Sequence, residues 1–355
     1  MIPSELQMIL GVIYGYYTQY TVLGPISKTA FDHTGADKLD IYIDLDDIMI
    51  HISNAISGNN INISNGSDIA ITSAIVNMCG HYRSFYRNTF GVDTMFFIIS
   101  NPENKYYEEN MSPEYTHPQL TKEAAALKSE VINRLSGLVL YIPKVHLMLS
   151  QFDFNSTALG ISKDCQNKNP RMVISKDPIV SILGAKGFWL LRPKKYRGGD
   201  RSIIVTPEES FMYYYHLMTK RPLPPELGSQ VSNLLDIYMA LVGAPSRGLK
   251  GIMHYSTAVD NLIKCINDPS NSFTNSKNLV DPDIFSLCSG IGITNTDVTE
   301  KIISRFRILN SNLMSEMFIM SGVFSTFTTD LYDRELMFRL NETVFSEYPL
   351  DLNGL

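Results

Sequence analysis

The sequence predicts an α/β fold, a mostly parallel sheet with helices on both faces followed by an α-rich lobe, and three observations carry that prediction. Short β-rich apolar runs alternate with segments of helical period through residue 210, as successive βαβ units do. The run at 39–44 ends in acids, as buried parallel strands do when they deliver carboxylates to their C-terminal edge. After Thr206-Pro207-Glu208-Glu209 the pattern turns mainly helical, which places the start of a second lobe there.

Residues 1–38 read as an N-terminal extension, with an amphipathic helix over 6–20 and then a stretch broken by Gly24-Pro25 and Gly35. The first strand is LDIYID, entering a helix at Leu45-Asp46-Asp47-Ile48. A polar loop at 57–67 leads to a helix over 68–90, where Ile71, Ile75, Met78, Tyr82 and Phe85 recur at helical spacing. Residues 92–99 form an almost unbroken apolar strand, completing a βαβ unit. A Pro-, Tyr- and Glu-rich loop occupies 101–118, and a helix capped by Thr121 runs over 121–135. Strands at 145–151 and 171–175 flank a helix near 156–163, and another strand starts at 187–192. The resulting organisation is an extension (1–38), an α/β domain (39–210) and a helical lobe (211–355). In that lobe Ile302, Phe306, Leu309, Leu313 and Phe318 give an apolar stripe.

With 355 residues and 44% hydrophobic content the chain can bury one large or two ordinary cores. A formal net charge of -6 argues against a protein that holds nucleic acid by overall charge, so any such site must be local. The cysteines, Cys79, Cys165, Cys265 and Cys288, have neither CxxC spacing nor a neighbouring histidine cluster, which points to reduced thiols rather than a zinc site or a disulfide framework. The start lacks a signal-peptide layout and no apolar run approaches a bilayer span, so a cytoplasmic protein without membrane partners is expected. Histidine spacing offers no HExxH, and Gly184–Gly187 lacks the frame of a nucleotide loop. Tyr213-Tyr214-Tyr215 in the helix after the TPEE cap reads as core rather than a base-stacking platform.

Two local clusters could meet a phosphate backbone. The turn Gly243-Ala244-Pro245-Ser246-Arg247-Gly248-Leu249-Lys250-Gly251-Ile252, within a helix-turn-helix-like element at 236–266, joins three glycines to Arg247 and Lys250. A surface αα-hairpin with glycine caps is the alternative. The densest basic run, Arg192-Pro193-Lys194-Lys195-Tyr196-Arg197-Gly198-Gly199-Asp200-Arg201, carries an aromatic residue and reads equally as a nucleic-acid contact or a solvated hairpin tip. Arg83 and Arg87 share a helix face and read as ordinary surface pairing.

In this order the elements from about 39 to 266 resemble the flap-endonuclease-like, PIN-like 5′-nuclease superfamily of phage and viral type. Asp44 matches that family's first metal ligand. Ser100 stands where its second strand ends in Asp, and Asp153-Phe154-Asn155-Ser156 where it has Glu-Ala-Asp-Asp. Ser175-Lys176-Asp177-Pro178-Ile179 keeps one acid of Ser-Gly-Asp-Lys-Asp, and Ala244 and Arg247 replace both acids of Gly-Asp-Pro-Ser-Asp. The resemblance implies a two-metal phosphodiester hydrolysis, with cations about 4 Å apart that need several carboxylates. Only Asp44, Asp153 and Asp177 remain as residual catalytic acids, with Asp44, Asp46 and Asp177 the ligands if Mg²⁺ binds at all.

The expectation is therefore a degenerate 5′-nuclease-like protein in viral nucleic-acid metabolism. It is catalytically inactive and without cofactor, and it grips duplex or branched DNA through Arg247, Lys250, Gly248 and Gly251 together with Arg192, Lys194, Lys195 and Arg197. Two alternatives stand beside it: an active Mg²⁺-dependent 5′-exonuclease or flap endonuclease, and a structural or interaction subunit of a viral replication, transcription or virion complex that binds no nucleic acid.

Overall fold

The computed structural model describes residues 3–17, 38–61, 63, 66–86, 91–101, 106–164, 169–196, 199–222, 234–268, 284–322, 324–329, 333–353 and 355. The alternation read from the sequence becomes a seven-stranded sheet in the order β6-β5-β4-β1-β2-β3-β7. Its members are β1 (Leu39–Asp44), β2 (Val92–Ser100), β3 (Val145–Ser150), β4 (Arg171–Ile174), β5 (Trp189–Tyr196), β6 (Gly199–Val205) and β7 (Phe324–Phe327). The first five strands pair in parallel, with β1 central between β4 and β2, and antiparallel β6 and β7 form the edges.

Every residue of β1 is buried, which is why the strand reads as a run of apolar side chains punctuated only by its acids. The pleat sends alternate residues to opposite faces. Ile41 and Ile43, with Met95, Phe97 and Ile99 of β2, face one core, where α1 (Ser4–Tyr14), α2 (Leu45–Asn59), α3 (Ser67–Tyr86) and α5 (Lys122–Leu138) pack. Tyr42, Phe96 and Ile98 face the other, which they share with Ala158 and Leu159 of α6 (Phe154–Asp164) and Met314 and Phe318 of α13 (Ser311–Ser321). One further short helix, α4 (Tyr107–Met111), lies in the loop after β2, and a single turn, α7 (Ser181–Gly184), follows β4.

A third core belongs to the helical lobe: α8 (Ser210–Thr219), α9 (Leu235–Val242), α10 (Tyr255–Asn267), α11 (Ile284–Gly290) and α12 (Thr296–Leu309). Tyr214 and Tyr215 are buried in it beside Tyr238, so the tyrosine cluster is core. α9 is buried along its whole length, and this central position accounts for its all-round apolar sequence.

Two features, the edge strand β7 and the burial of the N-terminal helix, differ from the sequence expectation, while the C-terminal helix packs onto the sheet domain as expected. The chain returns to the sheet at β7, an antiparallel edge strand within a region read as helical. The last helix, α14 (Arg334–Thr343), then sends Met337, followed by Phe345 and Leu350, into the first core. The N-terminal helix is likewise no appendage, since Leu6, Ile9, Leu10 and Ile13 are buried there. No helix among the described residues is long and apolar enough to cross a membrane.

Candidate functional site

Parallel strands bring their C-terminal ends to one edge, and here that edge gathers Asp44 from β1, Ser100 from β2, Asp153 just after β3 and Asp177 just after β4. All four are buried. Each acid also caps a turn: Asp44 accepts the Asp47 N–H at 3.0 Å, Asp153 that of Asn155 at 3.2 Å and Asp177 that of Ile179 at 3.1 Å. Capping is thus a realised role for all three carboxylates.

The residue that decides the character of this edge is Arg247. Pro245–Arg247 forms a single 3-10 turn between α9 and α10, and from it the Arg247 side chain runs inward, where it is 4% exposed. Its Nε donates to Asp153 Oδ2 at 2.7 Å and one terminal nitrogen donates to Asp177 Oδ2 at 2.5 Å. Burial opposes the charge on Asp153, yet the guanidinium and His117 outweigh it and hold the carboxyl well below the usual range. The expectation that Arg247 presents its charge to a phosphate chain is corrected: two buried carboxylates draw it away from the surface, because an uncompensated buried charge is costly.

A second internal cation serves the other half of the edge. Lys128 of α5 donates to Asp46 Oδ1 at 2.7 Å and to Ser100 Oγ at 2.5 Å, while Asp46 also accepts from the Ser100 N–H at 2.6 Å and the Tyr106 hydroxyl at 2.9 Å. Burial raises Asp46, but Lys128 prevails and its carboxyl lies below the usual range. Ser100, standing where the resemblance expects an acid, is here a donor in a closed ion pair.

Asp44 and Asp47 are joined through Ser175, whose hydroxyl lies 3.1 Å and 3.2 Å from them. Asp47 also accepts the Tyr16 hydroxyl at 2.8 Å, so the N-terminal segment reaches the same edge. Burial and then the neighbouring Asp47 and Asp46 raise Asp44 well above an ordinary carboxyl.

The loop after β2 covers this edge, a function its sequence did not reveal. His117 lies between Glu109 Oε1 at 3.2 Å and Asp153 Oδ2 at 3.0 Å. Two carboxylate partners are satisfied fully only by the doubly protonated ring. Burial and Arg247 oppose that charge, but the bonds to Asp153 and Glu109 outweigh them and raise His117. Tyr115 donates to Asp153 at 2.5 Å. Glu108 accepts the Asp153 N–H at 3.0 Å and the Ser156 hydroxyl at 2.8 Å, and burial, then the Asp153 charge, push it up to about 7.

Lys128 had a signal in the sequence: it falls at the buried spacing Ala124, Leu127, Val131 and Leu135 of α5, and a lysine on an apolar stripe calls for a buried partner. Glu108 and His117 had none, because a five-residue helix is too short to show a period and the backbone around His117 is irregular.

Among the described residues no group of three or more His, Cys, Asp or Glu side chains is arranged to hold a metal ion. Asp46 is paired with Lys128 and Asp177 with Arg247, while Asp44 feels the charges of both carboxylates. Asp153 and Asp177 share a guanidinium instead, and the residues present do not fit a two-metal centre.

The turn itself is the remaining candidate. Gly243 (φ 84°) and Gly248 (φ 70°) occupy the left-handed region, which favours glycine. A Cβ on Gly243 would meet the Gly251 nitrogen at 2.7 Å, one on Gly251 the Val242 oxygen at 2.8 Å, and one on Gly248 the Thr116 hydroxyl. Close packing of the chain on itself therefore accounts for these glycines. Lys250 is exposed. It lines a recess of about 520 Å³ with Gly251, Met253, His254 and Tyr255, at the N-terminus of α10. Arg305 of α12 donates to the Lys250 carbonyl at 2.6 Å and pairs with Glu114 at 2.8 Å, fixing the turn from behind.

In the other basic run, Arg192 is also turned inward. It is 4% exposed and donates to the carbonyls of Lys176, at 2.5 Å, and Asp177, so it too is corrected as a phosphate contact. Lys194 and Lys195 lie in β5, which pairs with β6 as a hairpin; their side chains, and Arg197 altogether, fall outside the described residues. Arg83 donates to the carbonyls of Pro143 and Leu355, at 2.6 Å and 2.8 Å, and Arg87 lies outside the described residues. Neither the protein-family models nor the curated proteins compared with the chain contain a match to it.

Proposed function

We propose that the chain is a degenerate, PIN-like 5′-nuclease-type protein that holds the backbone of duplex or branched DNA without cutting it, in viral nucleic-acid metabolism. The observation that carries this reading is the buried Arg247 guanidinium shared by Asp153 and Asp177. Acids in the order of a nuclease edge are retained, but a fixed cation of the chain neutralises them. Lys128 does the same for Asp46. Mg²⁺ beside a polyanion needs several charged oxygens around one point, and here their charge is already compensated. Backbone contact then falls to the helix-turn-helix-like element: Lys250, His254 and the positive N-terminal end of α10.

The inward direction of Arg247 and Arg192 favours a second reading, an interaction subunit that binds no nucleic acid, since it removes two cations from the surface. One experiment separates the readings: titration of duplex and flap DNA at several salt concentrations, with Lys250→Glu beside the wild type, and incubation of a labelled flap with Mg²⁺ or Mn²⁺. The expected result is salt-dependent binding that weakens by about tenfold or less in Lys250→Glu, as for loss of one phosphate contact, with no cleavage. Absence of salt-dependent affinity would establish the interaction subunit. Cleavage abolished by Asp44→Ala would establish an active nuclease.

A further inference from the structure

Among the described residues β7 is the last strand of the sheet, so one of its edges offers main-chain groups to a further strand. Hydrogen bonding on β3 identifies those groups. The N–H groups of Met95 and Asn101 donate to the carbonyls of Lys144 and Ser150 at 3.0 Å and 3.1 Å, so the even-numbered residues of β3 point to β2 and the odd-numbered ones to β7. Leu147 and Leu149 lie opposite Phe327 and Ser325, which therefore hold the inner edge. Phe324 and Thr326 direct their N–H and C=O groups outward. Sheets usually guard such an edge with Lys, Pro, a bulge or a covering segment. Residues 321–329 contain no charge and no proline, and Phe324, Ser325 and Thr326 are exposed.

The neighbouring helix α13 extends this surface. Met314 and Phe318 face the core. On a second flank the Ser315 hydroxyl accepts from Lys163 of α6 at 2.8 Å, and Glu316 pairs with the same lysine at 3.7 Å. The third flank carries Leu313, Met317 and Met320 at i, i+4 and i+7, and Met320 is 85% exposed. Phe324 stacks on Phe318 with ring centroids 4.8 Å apart, which joins the helix ridge to the strand edge. A ridge with two methionines adapts well to a protein surface. It offers no cation to a phosphate, since Glu316 is the only charged residue from 311 through 329.

We propose that β7 pairs with β7 of a second copy of this chain across a two-fold axis, forming one continuous sheet with the two α13 helices side by side on one face. A lone peptide strand added to β7 would leave the α13 ridge in water, whereas a second copy covers strand edge and ridge together. A two-fold axis normal to the sheet makes the new pair antiparallel and keeps like faces together. Opposed residues share a face, so the register pairs residues of the same parity. Thr326 then lies opposite itself, or Phe324 opposite Thr326, and in both registers only uncharged residues meet. Two chains of net charge -6 can approach here without like charges facing each other. A four-residue strand spans only ~13 Å, well short of an interface of ~1,200–2,000 Å² by itself, and the helix ridge supplies the second layer of contact.

The test is sedimentation equilibrium of the full chain, with amide hydrogen exchange, at concentrations up to about 100 µM. Met320→Lys places a charge on the ridge, and Thr326→Pro removes an outward N–H that β3 does not use. Both side chains are exposed, so neither substitution removes core packing. The expected result is a reversible wild-type dimer with a dissociation constant of about 1–100 µM, weakened by at least about tenfold in each variant. Exchange of the Phe324 and Thr326 amides slows as wild-type concentration rises. Three results overturn the proposal. A monomer at every concentration whose two amides are already protected shows the edge covered by the chain itself. A monomer whose amides exchange freely leaves the edge to a strand of another protein. A dimer that either folded variant leaves undiminished forms through another surface. Duplex affinity enters none of these outcomes, so dimerisation and backbone binding are tested independently.

Discussion

Glu108 shows at the scale of one residue what covering an acidic edge costs. Its carboxyl is fully buried, with its oxygens facing the Asp153 N–H and the Ser156 hydroxyl, yet burial and the Asp153 charge push it up to about 7. An unfolded glutamate titrates near ~4.3, so between the two values the folded chain holds a proton that the unfolded chain has released. Stability from this group is complete below the unfolded value and is lost as pH rises through the folded one. His117, also raised, adds a loss in the same direction as pH climbs above its ordinary value. Asp153, held well below the usual range, contributes stability that is lost only as pH falls through its own low value. The expected outcome is a fall in urea-unfolding free energy of about 3 kcal/mol or more from pH 4.5 to 8, to which Asp44, also raised by burial, contributes in the same direction, with Glu108→Gln making the slope below pH 7 shallower. A wild-type profile that rises over this range would contradict the assignment.

Elements explain which parts of the site could be read in advance. The parallel strands and the acid at the end of β1 were legible because a strand buried on both faces is apolar throughout and its terminus is marked by a capping acid. The helix at 121–135 appears as Lys122–Leu138 with the Thr121 side chain accepting the Ala124 N–H at 3.2 Å, as its capping residue implied. β7 was not legible: FSTF is four residues long, three of them exposed, too short for any period to emerge. In the turn after α9 the glycines were visible, but their reason was not, since a positive φ serves internal packing as well as an external ligand. The distinction is testable. Gly243→Ala places a Cβ against the backbone of Leu249 and Gly251 and adopts a left-handed φ that costs about 1–2 kcal/mol before any collision is counted. The melting temperature is expected to drop by several degrees or more. Full stability combined with lost DNA affinity would restore the external role.

For the whole molecule, Arg247 joins the helical lobe to the sheet. Its backbone carbonyl accepts the Thr116 N–H at 3.0 Å, its side chain reaches Asp153 and Asp177, and Arg305 ties the same turn to Glu114. Two cores linked by buried ion pairs should unfold together. Fluorescence of Trp189, the only tryptophan and a resident of β5, and far-ultraviolet circular dichroism are expected to report coincident transitions. Arg247→Ala leaves two carboxylates buried without their cation and should shift both by about 3–5 kcal/mol. Separate wild-type transitions would show that the lobes are independent. The sequence by itself determined the α/β alternation, the acids at the edge of the sheet and the turn after α9, because these follow from local period, capping and glycine placement along the chain. Only the tertiary structure decided that Arg247 faces inward, that Lys128 closes on Asp46 and that the loop after β2 lies over both. Those outcomes depend on which charges meet in a buried volume, and groups that meet there are distant along the chain, Arg247 and Asp153 by 94 positions and Ser175 and Asp44 by 131.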